Sequence, residues 1–511
     1  MSQTENKRIA RNTILLYFRS ILLILISLYT SRVILDALGV NNYGIYNIVG
    51  GVVTSLSILG TSMGSATQRF ITFALGKKDP VYLKDVFQTS VTLHIVLGII
   101  TVFCLEIVGG YLLYNYLNIP HDRINAAFWT MQCSIAVLFI TFIAVPYNSL
   151  IIAHEKMGAF AYISLLDGFF KLGIAFLLSF ATVDKLILYA ILLMFVAIVQ
   201  RLLYTIYCRR HFEESVKLKY KINRTLFKEM FTFSAWNLLG DGSVVLRNQG
   251  IDILINIFFG VTLNAAKGVC NQVQGVIYQF VSNFQTAVNP QLTKSIALSD
   301  YRRSHQLVIQ GSRFSFYLLS IFSIPLIIFA DNVLGIWLVK TPEYTVEFIR
   351  WTFIYLQFDC ISRFLTISIL ATGKIRAFQI VTSGIKFLAL PLTYLFFIYW
   401  KNPVGGIWVN ILLEICCLFI RLFFNNKQTG LKYSDFIIEV IFKGWLVFSI
   451  SLGVSYLLII YMKINFIVGI FLVVFIIICM VYMFGITGDE RRMVKGKIMH
   501  FLKNKKHNEY Y

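Results

Sequence analysis

Charged side chains lie inside stretches of this sequence that are otherwise apolar. The basic ones include Arg32, Lys171, Arg247, Arg363 and Lys386, and the acidic ones include Asp167, Asp241, Asp252 and Asp359. A charge at the centre of a bilayer costs about 2.5–3.5 kcal/mol on insertion scales, so these residues must face protein or water. Where water reaches them, such cations bind anionic groups, and the guanidinium of arginine does so in a planar, bidentate way.

Arg247 is the strongest candidate for a functional cation. It lies in the polar segment Asp241-Gly-Ser-Val-Val-Leu-Arg247-Asn-Gln-Gly-Ile-Asp252, and no acidic residue stands four positions before or after it. Such polarity within a span is tolerated only inside protein or along a water-filled cavity. Lys171 and Lys386 fall within about one helical turn of equivalent positions in two halves of the chain, which would give each half one cation.

Other charges have a structural interpretation that is equally open. Three pairs are spaced four residues apart and would stack on one helix face: Asp167 with Lys171, Asp359 with Arg363, and Arg32 with Asp36. Four more bases, Arg19, Arg201, Arg313 and Lys443, lie near span ends and are expected to extend toward the headgroups. Asn271 and Gln272 add neutral amides, which suit either sugar hydroxyls or hydrogen bonds between helices.

The elements that carry these residues are predicted to be transmembrane helices. Of the 511 residues, 57% are hydrophobic and only 14% are charged, against about 45–50% and 25% in a soluble domain. A span needs about 20 mostly apolar residues, and fourteen are expected: 12–37, 43–64, 87–117, 124–152, 159–181, 186–208, 230–259, 268–289, 307–330, 351–371, 377–399, 402–420, 437–461 and 464–486. The eight cysteines form no CxxC pair, so neither a disulfide framework nor a zinc site is predicted, and no cofactor is expected.

The net charge of +21 reflects the loops between these spans. No nucleic-acid-binding motif accompanies it, and membrane lipids are the simpler partner. With the N-terminus inside, the inside segments hold 30 Lys and Arg residues and the outside loops hold 7. The positive-inside rule therefore predicts a multi-pass protein of the cytoplasmic (inner) membrane with both termini in the cytoplasm.

An internal repeat divides the chain. Ala153-His-Glu-Lys-Met-Gly-Ala-Phe160 recurs as Ala371-Thr-Gly-Lys-Ile-Arg-Ala-Phe378, and Gly39-Val40 recurs at nearly the same interval as Gly260-Val261. Six spans per repeat would make two parallel bundles related by an axis along the membrane normal, with a cavity between them. The predicted divisions are 1–208 and 230–424 for the bundles, 209–229 for a basic linker, 425–487 for an added helix pair, and 488–511 for a basic tail.

The sequence resembles the Wzx-like polysaccharide flippases of the multidrug/oligosaccharidyl-lipid/polysaccharide (MOP) exporter superfamily. The resemblance rests on Arg11-Asn12-Thr13, on Thr30-Ser31-Arg32, and on Leu38-Gly39-Val40-Asn41-Asn42-Tyr43-Gly44-Ile45-Tyr46. The Gln68-Arg69-Phe70 loop and the repeated Ala-x-x-Lys-x-x-Ala-Phe turn match the family as well. The resemblance implies a MATE/MOP-like fold and a substrate of undecaprenyl-pyrophosphate that carries an oligosaccharide. A polysaccharide polymerase and a chain-length regulator are the implied partners.

The leading hypothesis is therefore that this protein flips repeat units of O-antigen, capsule or exopolysaccharide from the inner to the outer leaflet by alternating access. In it, Arg247, Lys171, Lys386, Arg32 and Arg363 contact the pyrophosphate. The set Asp241, Asp252, Asp359, Asp167, Asn271 and Gln272 supplies cavity polarity or ion coupling. A multidrug cation antiporter of the same fold is the alternative, although the excess of bases within the spans disfavours it. A membrane glycosyltransferase or polymerase is less favoured, because the outside loops are short and no catalytic motif is present, so no enzyme is expected.

Overall fold

A computed structural model describes residues 3–115, 119–216, 223–337, 342–462, 465–488 and 490–492. Within these ranges the chain forms helices joined by short turns, and none of the described residues forms a strand. The all-helical class predicted from the apolar stretches is therefore confirmed.

The helices follow one another with little connecting chain. In the first half they are α1 (Gln3–Ser55), α2 (Ser57–Lys77), α3 (Pro80–Asn115), α4 (Ile124–Ala153), α5 (Met157–Phe180) and α6 (Lys185–His211). In the second half they are α7 (Arg224–Ala297), α8 (Tyr301–Trp337), α9 (Thr345–Thr372), α10 (Arg376–Phe387), α11 (Ala389–Trp400) and α12 (Gly405–Thr429). A third group contains α13 (Tyr433–Phe436), α14 (Lys443–Met462) and α15 (Phe466–Met480).

The number of apolar spans differs from the fourteen predicted. Among the described residues, eleven helices are long and apolar enough to cross a membrane, and the bent pair Asn42–Val53 and Ser57–Lys77 brings the number to twelve. The other two predicted spans, 230–259 and 268–289, both lie in α7. This helix is interrupted at Gly260, and it carries the polar run around Arg247 before the interruption and the amides after residue 270 beyond it, so neither part reaches the apolarity of the other spans.

The backbone shows the repeat independently of residue identity. Gly39 interrupts α1 with φ 74° and Gly260 interrupts α7 with φ 83°, a conformation open to glycine and strained for other residues. Two further pairs recur at equivalent places, Lys78 with Ser299 and Glu155 with Gly373, and all four have positive φ. The three intervals, from 39 to 260, from 78 to 299 and from 155 to 373, are nearly equal. They agree with the spacing of the sequence repeat.

The chain divides into two compact units, and four of the five borders between them lie within helices. The first unit contains residues 1–248, 282–304 and 367–387, and the second contains 249–281, 305–366 and 388–511. The first unit thus joins the whole first half to three segments of the second half. The predicted domain boundaries at 208, 229, 424 and 487 do not coincide with these borders, and they remain a prediction.

The first unit has a core to which both halves of the sequence contribute. Phe70 of α2, Phe87 of α3 and Tyr147 of α4 pack there with Met230 and Phe233 of α7, all buried to at least 94%. Each buried aromatic side chain removes a large apolar area from solvent and contributes on the order of 2–3 kcal/mol. The first half and the adjoining segments of the second half are therefore held by continuous side-chain packing.

In the second unit, a buried ion cluster attaches the third helix group to α8. Arg313 is 1% exposed and donates to both Glu490 oxygens at 2.5 and 2.6 Å and to Glu439 at 3.1 Å. Lys443 also pairs with Glu439 at 2.7 Å. The prediction that Arg313 reaches toward the headgroups is wrong, because carboxylates from the C-terminal region satisfy its charge within the protein.

Candidate functional site

Arg247 lies buried in α7, and its role as a substrate-binding cation remains a prediction. Only 3% of the residue is exposed, and its Nε donates to the Asn248 side-chain oxygen at 3.3 Å. The neighbouring Val245, Leu246, Asn248 and Gln249 are exposed, so the exposed side of this helix turn carries apolar and amide side chains while Arg247 is buried. This arrangement keeps the charge out of the lipid.

A polar cluster surrounds Asp241, which lies about one and a half helical turns before Arg247. Its carboxylate accepts hydrogen bonds from the Ser62 hydroxyl at 2.6 Å and from the Asn237 amide at 3.3 Å. Asn237 also donates to the Ser62 carbonyl at 3.2 Å and accepts from Gln379 at 3.5 Å. The cluster joins α2, α7 and α10, and both described donors to the carboxylate are neutral.

The remaining predicted residues of the first unit occupy more open positions. Lys171 is exposed and forms the predicted pair with Asp167 at 2.8 Å, which confirms the spacing argument for these two residues. Lys386 is half-buried at the end of α10, and Arg32 is exposed on α1. The joint clamp formed by Lys171, Arg247 and Lys386 remains a prediction.

In the second unit, the predicted polar residues form two contacts between neighbouring helical segments. Asp359 accepts a hydrogen bond from the Tyr278 hydroxyl at 2.8 Å, and Asp252 accepts one from the Asn271 amide at 3.3 Å. Arg363 and Gln272 are exposed. The Tyr278 contact was missed from the sequence because the two residues are 81 positions apart.

Two further arginines have hydrogen-bond partners within the protein. Arg421 of α12 is 5% exposed and donates to Glu414 and to the Ser362 hydroxyl, the latter at 2.5 Å. Arg19 donates to Ser164 at 3.4 Å and to Asn283 at 3.3 Å. These contacts give Arg421 and Arg19 structural partners that the sequence did not reveal.

Among the ion pairs outside the predicted spans, one lies where α4 ends. His154 contacts Glu214 at 2.7 Å and stacks on Phe212, with 4.1 Å between the ring centroids. Burial alone would raise the pKa of Glu214, but hydrogen bonds from His154 and from the backbone hold that pKa below its usual value. The turn after α4 is therefore anchored to the segment that follows α6.

No protein-family model and no curated protein sequence matches this chain. Solved structures do match its fold. The crystal structure of a MATE mutant shares 11% identity at a TM-score of 0.73, with 83% of this chain and 96% of that chain covered. The outward-facing multidrug resistance MATE family transporter of the MOP superfamily shares 14% sequence identity at a TM-score of 0.71, with 83% of this chain and 96% of that chain covered.

A MOP superfamily transporter from Pyrococcus furiosus, described as having a binding pocket of reversed polarity that suggests a different function, is also similar. It shares 13% identity at a TM-score of 0.67, again with 83% and 96% of the two chains covered. At such identities the likeness shows the fold alone. This chain therefore has the fold of the MOP superfamily membrane transporters.

Proposed function

We propose that this protein flips a polyprenyl-pyrophosphate-linked oligosaccharide across the cytoplasmic membrane. The observation that carries the proposal is the buried guanidinium of Arg247 in the polar segment of α7. A buried cation within a transporter fold suits an anionic headgroup, because it offsets part of the cost of removing the pyrophosphate from water. Lys171, Lys386, Arg32 and Arg363 are the further cations proposed for this headgroup.

The proposed cycle follows from the fold and the charge pattern. The headgroup enters from the cytoplasm, and the lipid tail stays in the hydrocarbon while the two halves alternate in access. An inside-negative membrane potential favours the outward movement of an anion by about 2.3 kcal/mol per net charge per 100 mV. Asp241 is the best-built candidate for ion coupling. The polymerase and the chain-length regulator are proposed to receive the product, and no catalytic step is assigned to this chain.

A transport assay in proteoliposomes tests the proposal. The vesicles contain a fluorescent undecaprenyl-pyrophosphate oligosaccharide, and a membrane-impermeant quencher reports the fraction that has crossed. We expect Arg247→Ala to lower the rate about 10- to 100-fold, as the loss of a charge-assisted contact predicts. Arg247→Lys should retain an intermediate rate, since a point charge replaces the bidentate fork. Lys427→Ala, which removes an exposed base of α12, is the matched control.

Two outcomes would contradict the proposal in different ways. Wild-type rates for both Arg247 variants would remove Arg247 from the site. Transport of cationic dyes, with no movement of the lipid-linked oligosaccharide, would favour the second candidate, a multidrug cation antiporter. That candidate is supported by the multidrug MATE transporter of the same fold and by the carboxylate of Asp241 with its neutral donors.

A further inference from the structure

Two turns at one end of the first unit share an unusual backbone conformation. Glu155 follows α4 with φ 59°, and Gly373 follows α9 with φ 82°. These two positions are equivalent in the repeat. We call this the basic-loop end, formed by the turns at 78–79, 154–156, 298–300 and 373–375. Each of the two turns is bound by a cation from the opposite half of the sequence.

The first contact is the Glu155 clasp, formed by Glu155, Lys294, Gln291 and Asn12. Glu155 is only 4% exposed, and its carboxylate accepts from the Lys294 ammonium at 2.9 Å and from the Gln291 amide at 3.3 Å. Its backbone carbonyl accepts from the Asn12 amide at 3.4 Å. Lys294 and Gln291 belong to α7, so this clasp ties the second half to the first half.

The second contact is the Arg69 clasp, in which Arg69 of α2 binds the end of α9. The guanidinium donates from Nε at 3.3 Å and from Nη2 at 3.1 Å to the Ala371 carbonyl. A cation at a helix C-terminus is favoured by the partial negative charge of the unpaired carbonyls there. The rings of Phe70 and Phe73 lie 4.6 and 4.9 Å from the same guanidinium and fix its direction.

The two clasps are arranged about a contact between equivalent residues. A Cβ built on Gly76 would lie 2.8 Å from the Cβ of Ala297, and the interval between these positions is the same as that between Gly39 and Gly260. Equivalent residues of a two-fold repeat meet only on the axis that relates the copies. The same interval relates Lys294 to residue 73 of the first half, which is about one helical turn from Arg69. The two cations therefore occupy nearly equivalent places in the repeat. Each half therefore offers one turn and one cation to the other, on opposite sides of this contact.

We propose that the two clasps form a reversible latch that holds the halves together at the basic-loop end, and that the latch must break before substrate can enter. The inference deepens the proposed function, since it takes this end as the cytoplasmic entrance, where the headgroup is collected. The latch consists of one ion pair in which Lys294 is partly exposed and Glu155 is buried, of amide contacts, and of one cation on a carbonyl. These contacts are few, and a transport cycle exchanges them when it shifts the population between two conformations.

Thiol labelling tests the latch without any substrate. Ala287 of α7 is fully buried in a cluster with Leu16, Ile152 and Met157 of the first half, two helical turns from Lys294. In the Ala287→Cys variant, an impermeant maleimide applied to the basic-loop side reaches the new thiol only when the halves separate there. Peptide mass spectrometry then reads labelling at residue 287 separately from the native cysteines.

We expect Lys294→Ala to raise the labelling rate of the Ala287→Cys variant about 10- to 100-fold, the effect of losing one charged hydrogen bond. The double variant Glu155→Lys with Lys294→Glu, which reverses the charges, should bring the rate back toward the starting value. Arg302→Ala, which removes an exposed base at the same end, is the matched control and should leave the rate unchanged. The native thiol of Cys208, which is buried in the first half, reports the integrity of the bundle.

Three results would overturn the latch. They are an unchanged rate in Lys294→Ala, a charge reversal that leaves the rate raised, and a parallel rise at Cys208 that shows general loosening of the bundle. Because no substrate is present, failure here leaves the flippase proposal standing. Failure of the transport assay likewise leaves the latch standing as a device of the fold.

Discussion

At the scale of single residues, charges in the apolar interior of this protein are placed by partners that are distant in sequence. Arg313 pairs with Glu490, 177 positions away, and Glu155 pairs with Lys294, 139 positions away. A spacing of four residues predicted three pairs on helix faces, and the contact between Asp167 and Lys171 is confirmed. Longer-range pairs depend on helix packing, which residue types alone do not specify.

The pair formed by Glu414 and Arg421 yields a prediction about stability. Both residues are at least 95% buried, so Glu414→Ala leaves an unpaired guanidinium in an apolar surrounding. We expect a loss of about 3–5 kcal/mol in the free energy of unfolding, whereas Glu414→Leu combined with Arg421→Leu should be nearly neutral. Thermal unfolding in detergent, followed by fluorescence, measures both variants. If the double variant were as unstable as Glu414→Ala, the pair would contribute through packing and not through charge.

At the scale of elements, the repeat was the feature that the sequence predicted best. The turns Ala153–Phe160 and Ala371–Phe378 and the glycines at 39 and 260 were identified from spacing alone, and the backbone repeats at the same places. The same signal marked the loop that holds Glu155, although its partner Lys294 was not foreseen. The count of fourteen spans was not confirmed because α7 is long and polar, and apolar length was the criterion used.

Gly373 allows a test of the turn that carries the Arg69 clasp. A Cβ at this position would lie 2.5 Å from the Arg69 Nη2, and the positive φ disfavours any side chain. Gly430, after α12, also has a positive φ of 77° but nothing within 4 Å, so it is the matched control. Both alanine variants should lose about 1–2 kcal/mol of stability through backbone strain. Only Gly373→Ala should also raise maleimide labelling in the Ala287→Cys background, because it displaces Arg69. Equal labelling in the two variants would show that Arg69 can move aside without opening this end.

At the scale of the whole molecule, the compact units do not follow the predicted division at the basic linker. The first unit takes in three segments of the second half, since Met230, Phe233 and Ile375 pack into the core of the first half. Composition shows where the chain is apolar. The borders between the compact units are set by packing, and most of them cross helices at places where the composition does not change. The candidate cations were therefore predicted individually, while the contacts that join the halves became visible only in three dimensions.

The orientation of the chain in the membrane decides whether the latch controls entry or release of the substrate. The charge asymmetry of the loops predicts this orientation. Thirty basic residues in the inside segments against seven in the outside loops favour the basic-loop end in the cytoplasm. We expect cysteines introduced at the exposed positions Lys78 and Lys374 to react with an impermeant maleimide only in inside-out vesicles. A cysteine at Lys401, beyond α11, should react only in right-side-out vesicles. Because the span Arg376–Trp400 separates positions 374 and 401, opposite labelling of these two sites is an internal control. The reverse pattern would place the latch at the outer surface, where it would control release of the substrate instead of its entry.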